Sequence, residues 1–208
     1  MGNCTYENTD KTSTRETYEW TNTWIEHTEN TETPRVLYIG DSISGATREA
    51  ANREADGRVL FDRLGTSKAL DHPYFFDDIR VFARQQGKRA AVVFNNGLHG
   101  WHLSDEDEYA KAYERTVRFL LEEFKDTPIY LILTTQVGHE ERKGRVAARN
   151  EAVKAIAAKY GLPIIDFYSL SIERADFLSG DLVHFKPEGY SYFGRLLLDS
   201  LAPVLGES

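Results

Sequence analysis

Cysteine is almost absent from the 208 residues, since Cys4 is the single one, which excludes a disulfide framework and a cysteine-based zinc site within one chain. No apolar run approaches the roughly 18 residues that cross a bilayer, and the mean hydropathy is −0.49, so we expect no membrane-spanning segment and no membrane partner. Residues 1–16 lack a basic stretch followed by an apolar one. That absence indicates no secretory signal and predicts a cytoplasmic location.

Positive charge is also in the minority. The chain carries 25 Lys and Arg against 33 Asp and Glu, a formal net charge of −8. Phosphate backbones are bound through positive charge, so nucleic acid is not an expected partner. The content of 41% hydrophobic and 28% charged residues is typical of one globular domain, and the oligomeric state is left open.

The N-terminal part of the chain is rich in Thr and Asn but also contains Tyr18, Trp20 and Trp24. A disordered tail seldom holds such aromatic residues, so we expect residues 1–33 to pack on a domain that spans residues 34–208. Trp20 and Trp24 are four apart and would share one face of a helix. Two interpretations stay open, a segment that covers one end of the core and a lid over a substrate.

From Arg35 onward, short apolar runs alternate with helical patterns, which is typical of a parallel sheet with helices on both faces. We predict a flavodoxin-like three-layer α/β/α fold with a five-stranded parallel sheet. Its ligand crevice should lie at the carboxyl ends of the strands. The predicted strands are residues 36–39, 59–61, 90–94, 129–134 and 163–167.

Three of the intervening segments show the 3.6-residue period of an amphipathic helix. Ser104 is positioned to cap the first of them. The second covers residues 145–160 and ends at Gly161. The third begins near Pro187, a residue well suited to a first helical turn.

The block Gly40-Asp41-Ser42 follows the first predicted strand. Glycine permits a sharp turn, and a serine at the start of the next helix lies where backbone N–H groups and the helix dipole favour negative charge. Ser42 is therefore a candidate nucleophile. Serine is also a common N-cap, so this block alone does not establish a catalytic role.

The block Asp181-Leu182-Val183-His184 precedes the last predicted helix. A serine hydroxyl becomes a good nucleophile when an imidazole removes its proton, and a carboxylate fixes the tautomer of that imidazole. Asp181 and His184 supply both groups from one loop, although a solvated surface pair has the same spacing. Because loops at the carboxyl edge converge, the two blocks together predict a triad of Ser42, His184 and Asp181.

These blocks resemble those of the SGNH hydrolases, also called GDSL esterases or lipases, over most of the chain from Arg35. The resemblance implies that Ser42 is the nucleophile and that Asp181 and His184 complete the triad. Gly65, within Arg63-Leu64-Gly65-Thr66-Ser67, resembles the glycine after the second strand whose N–H helps to hold the oxyanion. The resemblance implies no cofactor and no metal.

The third block departs from the family pattern Gly-x-Asn-Asp, since residues 94–102 read Phe-Asn-Asn-Gly-Leu-His-Gly-Trp-His. An asparagine amide can donate to an oxyanion, so Asn95 or Asn96 is expected in that role, with Asn95 favoured because it occupies the strand end. Both could instead only turn the strand end. A register in which residues 97–100 are the true counterpart, with His99 as the important residue, also stays open.

His99 and Trp101 are expected to line the substrate pocket. His99 and His102 also suggest a metal site, an interpretation that we disfavour because this esterase chemistry needs no metal. The run around them, with the Trp-rich segment before the first strand, is similar to a bacterial subgroup of the family.

We therefore expect a serine esterase that hydrolyses a short-chain ester, first of all an acetyl ester on a carbohydrate, because aromatic and polar side chains suit a sugar better than a long lipid chain. An inactive SGNH-fold carbohydrate-binding protein stays open, since the altered third block could leave the oxyanion hole defective. An acyltransferase would use the same residues. A phosphoacceptor receiver domain is disfavoured, because Asn95 stands where its acceptor aspartate would follow the third strand.

Overall fold

The structure is a computed structural model that describes residues 16, 18–103 and 105–206. Its sheet has six strands in the order β1-β3-β2-β4-β5-β6. The strands are β1 (Thr21–Trp24), β2 (Arg35–Gly40), β3 (Leu60–Thr66), β4 (Ala91–Phe94), β5 (Ile129–Ile132) and β6 (Ile164–Ile165). Strands β2 to β6 pair in parallel, as predicted, whereas β1 runs antiparallel to β3 at the edge of the sheet.

Helices cover both faces of this sheet. They are α1 (Ile43–Ala55), α2 (Phe75–Gln86), α3 (Glu106–Glu123), α4 (Glu140–Tyr160), α5 (Phe167–Glu173) and α6 (Pro187–Leu205), with a short 3-10 turn at Ala175–Phe177. Successive side chains of a strand point to opposite faces, and β2 shows this clearly. Val36 and Tyr38 pack with α1 and α6, whereas Leu37 and Ile39 pack with α2 and α3. The predicted three-layer α/β/α fold is therefore confirmed.

The sixth strand, β1, is the element that the prediction of five strands missed. All four of its residues are exposed, so its sequence shows no alternation of buried and exposed positions. Main-chain pairing with β3, from Thr21 opposite Thr66 to Trp24 opposite Arg63, forms this strand. The helical face considered for Trp20 and Trp24 is therefore wrong.

Several predicted boundaries also shift. The second parallel strand continues to Thr66, five residues beyond its predicted end. The last strand ends at Ile165, because the Asp166 side chain accepts a hydrogen bond from Ser169 N–H and begins α5. Asp105 caps α3, and Ser104, the predicted cap, lies outside the described residues, as does Cys4. Within those residues, no helix combines the length and apolarity needed to cross a bilayer.

Arg35, at the start of β2, ties the N-terminal segment to the sheet. Its guanidinium donates to the carbonyl oxygens of Glu26, His27 and Asn30 at 2.8 to 2.9 Å. It also pairs at 3.0 Å with Asp62, a wholly buried residue of β3. A buried charge is stable only when it is paired and hydrogen-bonded, so this contact anchors the segment firmly. The domain boundary at residue 34 stays a prediction.

Candidate active site

A tight turn joins β2 to α1 and places Ser42 at the N-cap, directly before the first residue of the helix. Asp41 Oδ1 accepts a hydrogen bond from Ile43 N–H at 3.0 Å, and Ser44 Oγ donates to the Asp41 carbonyl oxygen at 2.6 Å. A Cβ at Gly40 would lie 2.8 Å from Ser44 Cβ, closer than real side chains approach. The turn therefore requires glycine at that position, and it presents Ser42 at the carboxyl edge of the sheet.

His184 meets Ser42 across 142 positions of the sequence and brings Asp181 with it. His184 Nε2 lies 2.8 Å from Ser42 Oγ. On the other side of the ring, His184 Nδ1 lies 2.6 Å from Asp181 Oδ2. The structure thus brings the three predicted residues together in the order hydroxyl, imidazole, carboxylate.

The loop before α6 holds Asp181 through its second oxygen. Asp181 Oδ1 accepts hydrogen bonds from the Ser179 hydroxyl at 2.6 Å and from the N–H groups of Val183 and His184 at 3.0 and 2.9 Å. The hydrogen bond from Ser179 and those from His184 and Val183 outweigh desolvation and hold the pKa of Asp181 well below its usual value. The carboxylate therefore stays charged wherever an imidazole can act as a base. Sequence reasoning missed Ser179, whose signal was a hydroxyl two residues before the aspartate.

Arg63 of β3 is a second residue that the sequence did not reveal, because an arginine within a strand predicts no particular partner. It is nearly buried, and its guanidinium donates to Ser44 Oγ at 2.7 Å and to the Asp41 carbonyl oxygen at 3.0 Å. Its charge lies over the Trp20 ring, 5.7 Å from the centroid. Arg63 thus braces the turn that carries Ser42.

Asp41 is buried beside the candidate nucleophile, and one of its oxygens, Oδ2, has no hydrogen-bond partner. Burial raises the pKa of Asp41 above its usual value. Interactions with His99, Arg63 and His184 lower it, but by less than burial raises it. Both imidazoles therefore lie within electrostatic reach of the residue before Ser42.

Gly65 lies inside β3, not in a loop after it, opposite Asn22 of β1 and Gly40 of β2. Hydrogen-bonded pairs alternate along an antiparallel ladder, and Ser67 N–H donates to the Trp20 carbonyl oxygen at 3.1 Å. The same alternation directs the Gly65 N–H at Asn22. The oxyanion role of Gly65 stays a prediction, and it requires the Gly65 N–H to separate from Asn22 of β1.

The two asparagines after β4 point their amides at neighbouring loops. Asn95 Nδ2 donates to the Ile132 carbonyl oxygen and to Thr134 Oγ1, both at 2.9 Å, so both amide hydrogens are engaged at the end of β5. The preference for Asn95 as the oxyanion donor therefore conflicts with the structure. Asn96 is buried and donates to the Lys68 carbonyl oxygen at 2.9 Å, which leaves one of its amide hydrogens for another acceptor.

Arg149 of α4 fixes the backbone of the loop that follows Asn96. It is wholly buried and donates to the carbonyl oxygens of Gly97, His99 and Gly100 at 2.8 to 3.0 Å. Its Nε donates to Glu106 Oε2 at 2.7 Å. The unbroken helical pattern around residue 149 gave no sign of this role.

The ring of Trp101 packs against guanidinium groups. Arg149 lies 4.3 Å from its centroid, and Arg142 and Arg145 lie 4.9 and 5.1 Å from it. These contacts reduce the surface that Trp101 can offer to a substrate, so its role in a pocket stays a prediction.

The remaining predicted residue, His99, is partly buried near the candidate triad. Its Nδ1 lies 3.0 Å from Glu16 Oε2, and its ring meets Trp20 edge to face at 6.5 Å between centroids. His102, considered with it as a metal ligand, lies instead 2.9 Å from Asp71 Oδ2. In the described part of the chain, no three His, Cys, Asp or Glu side chains gather as a metal site.

A family model described as GDSL-like lipase/acylhydrolase matches residues 8–192. The chain belongs to this family. Membership makes the protein a hydrolase of the esterase type. No curated protein matches the chain at a significant level.

Solved structures of this GDSL-like family share the fold. A lipolytic G-D-S-L family protein from Veillonella parvula is 20% identical, with a TM-score of 0.64 over 85% of this chain and 100% of its own. The C-terminal catalytic domain of peptidoglycan O-acetyltransferase A from Streptococcus pneumoniae is 16% identical, with a TM-score of 0.65 over 83% of this chain and 94% of its own. A carbohydrate esterase family 3 protein from Talaromyces cellulolyticus is 15% identical, with a TM-score of 0.66 over 85% of this chain and 100% of its own. At these identities the likeness shows the fold alone.

Replacing Asn95 with alanine should lower the free energy of unfolding by about 1–3 kcal/mol, because it removes two buried hydrogen bonds at the end of β5. Turnover should stay within about threefold of wild type, because both amide hydrogens serve the sheet edge. Urea unfolding and ester hydrolysis check the two effects. A hundredfold fall in kcat with unchanged unfolding would return the oxyanion role to Asn95.

Proposed function

We propose that the protein is a serine esterase that hydrolyses a short acyl ester, acetyl first of all, through an acyl-enzyme on Ser42. The observation that carries this proposal is the unbroken contact from Ser42 Oγ to His184, at 2.8 Å, and from His184 to Asp181, at 2.6 Å. These separations allow direct proton transfer between hydroxyl and imidazole.

In the first half of the proposed reaction, His184 Nε2 takes the proton of Ser42 while Ser42 Oγ attacks the ester carbonyl carbon. A tetrahedral oxyanion forms. As the intermediate collapses, the bond to the alcohol oxygen breaks and His184 returns the proton to that oxygen. The charged Asp181 holds the ring in place and stabilises its protonated form.

In the second half, a water molecule replaces the alcohol. His184 takes a proton from the water while the water oxygen attacks the acyl carbon. As the second intermediate collapses, the bond between the acyl carbon and Ser42 Oγ breaks and His184 returns the proton to Ser42 Oγ, which frees the carboxylic acid. The Ser42 N–H, at the N-terminus of α1, lies where the helix dipole favours the negative charge of the oxyanion.

A carbohydrate ester is the proposed substrate class. Trp20 stacks on Arg63, which itself braces the Ser42 turn, and keeps 37% of its surface exposed. Tyr18 and Trp24 on the same segment are more exposed still. Flat aromatic faces next to polar groups suit a sugar ring, which has both apolar faces and hydroxyls. The names of two fold neighbours, a carbohydrate esterase and a peptidoglycan O-acetyltransferase, agree with this choice.

The purified protein should hydrolyse p-nitrophenyl acetate without added metal, and a chelator should leave the rate unchanged, because the triad itself activates the nucleophile. Release of p-nitrophenol with and without chelator measures this. The rate should fall as the acyl chain lengthens, and acetylated sugars should release acetate. Activity that disappears in chelator and returns with zinc would contradict the mechanism.

A further inference from the structure

The donors predicted for the oxyanion hole are largely engaged elsewhere. The Gly65 N–H is directed at β1, and both Asn95 amide hydrogens are bonded at the end of β5. Asn96 retains one amide hydrogen beside its bond to the Lys68 carbonyl oxygen. Each donor aimed at the oxyanion adds to its stabilisation, so a further group of this edge would add to the Ser42 N–H and to Asn96. His99, on the loop after β4, has a second ring nitrogen, Nε2, beside the one that contacts Glu16.

Glu16 of the N-terminal segment holds His99 from outside. Its Oε2 lies 3.0 Å from His99 Nδ1, and its Oε1 accepts the Gly100 N–H at 3.1 Å. Burial disfavours the charged form of Glu16, but the hydrogen bond and charge of His99 and the Gly100 N–H outweigh it and lower the pKa of Glu16. A charged carboxylate at this distance requires the proton of the ring to sit on Nδ1. Nε2 is then the nitrogen left for a ligand.

Residues of the domain also fix the loop after β4 that carries His99. Arg149 binds the carbonyl oxygens of Gly97, His99 and Gly100, so the backbone that carries His99 is fixed on both sides of that residue. Gly97 lies so close to the loop after β5 that a Cβ would come within 1.7 Å of Thr134 Oγ1. Preorganised donors stabilise a transition state best, because they need no rearrangement when the charge develops.

We propose that His99 is a catalytic residue that donates a hydrogen bond from Nε2, in its imidazolium form, to the oxyanion, and that Glu16 is the positioning residue that holds Nδ1. This inference rests on the proposed serine esterase function. Asp41 lies within electrostatic reach of His99, and Trp20, whose ring meets that of His99, carries the Arg63 guanidinium over its own ring.

His99→Ala should lower kcat about a hundredfold with little change in KM, the effect of removing one oxyanion donor. His99→Asn keeps an N–H donor near the same place and should recover activity to within about tenfold of wild type. Glu16→Gln keeps the size of the side chain but loses the charge that holds the imidazolium, and should lower kcat about tenfold or more.

Glu19→Gln is the matched control. Glu19 lies on the same segment and also contacts a histidine, His72, at 3.1 Å, and its loss should leave kcat unchanged. Combining Glu16→Gln with His99→Asn tests positioning directly. The Glu16 effect should vanish once His99 is absent, whereas a purely structural role of Glu16 would persist in that background.

Nitrogen NMR of the histidine side chains supplies a readout that needs no turnover. Wild-type His99 should carry a proton on Nδ1, and Glu16→Gln should shift this signal whereas Glu19→Gln should not. A raised KM with unchanged kcat in His99→Ala would assign His99 to substrate binding and overturn the inference. An active wild type with an equally active His99→Ala variant rejects the inference alone, whereas a wild type inactive on every ester rejects the proposed function too.

Discussion

Replacing Ser42 with alanine should lower kcat by about four orders of magnitude or more, because the variant lacks the oxygen that forms the acyl-enzyme. Triad residues act as a unit, so His184→Ala should cost a comparable factor, and combining the two should add little. Both side chains lie at the open edge of the sheet, so melting temperatures should change little. Hydrolysis of p-nitrophenyl acetate and thermal unfolding measure the two effects.

Ser44→Ala is the matched control for this prediction. Ser44 belongs to the same turn, and its hydroxyl donates to the Asp41 carbonyl oxygen and accepts from Arg63 Nε. Its removal should reduce stability by about 1–2 kcal/mol and leave kcat within about tenfold of wild type. A Ser42→Ala variant with near-wild-type turnover on its best ester would end the nucleophile assignment and favour an inactive binding protein.

Asp181→Asn should lower kcat by about 10⁴ with the loop before α6 intact. The amide oxygen can still accept from Ser179 and from the N–H groups of Val183 and His184, so the turn keeps its shape. The amide nitrogen would face His184 Nδ1 in place of Oδ2, and it favours the tautomer whose Nε2 carries a proton. That tautomer cannot accept the proton of Ser42.

Ser179→Ala is the control for Asp181→Asn. It removes one of the hydrogen bonds to Asp181 but leaves the carboxylate and its contact with His184, so kcat should fall by no more than about tenfold. Measuring kcat and the circular dichroism spectrum of both variants distinguishes the loss of the Asp181 charge from a change in the structure of the loop. Wild-type kcat in a folded Asp181→Asn variant would contradict the assigned role.

The sequence allowed the parallel core and the convergence of Ser42, His184 and Asp181 to be predicted, for one physical reason. Buried parallel strands are continuous apolar runs, and their carboxyl ends meet at one edge, so Ser42 and His184 could be placed together without knowledge of side-chain positions. Strand β1 could not be predicted. It is held by backbone pairing with β3, and its exposed Thr and Asn side chains carry no burial pattern.

The oxyanion donors could not be assigned from the sequence because an amide can face either side of a turn. Asn95 was favoured for its place at the strand end, yet its partners are Ile132 and Thr134 of the neighbouring strand and loop. Likewise, the partner of His99 is Glu16, 83 positions away. Contacts of this range depend on the packing of the whole edge and leave no local signal.

Detection of the acyl-enzyme tests the central claim, that Ser42 carries the acyl group, most directly. The protein is mixed with p-nitrophenyl acetate, quenched in acid during turnover and digested for mass spectrometry. Acetylation of Ser42 should appear in the wild type and be absent from Ser42→Ala. Full turnover with the acetyl group on another residue, or with Ser42 never acetylated, would contradict the account.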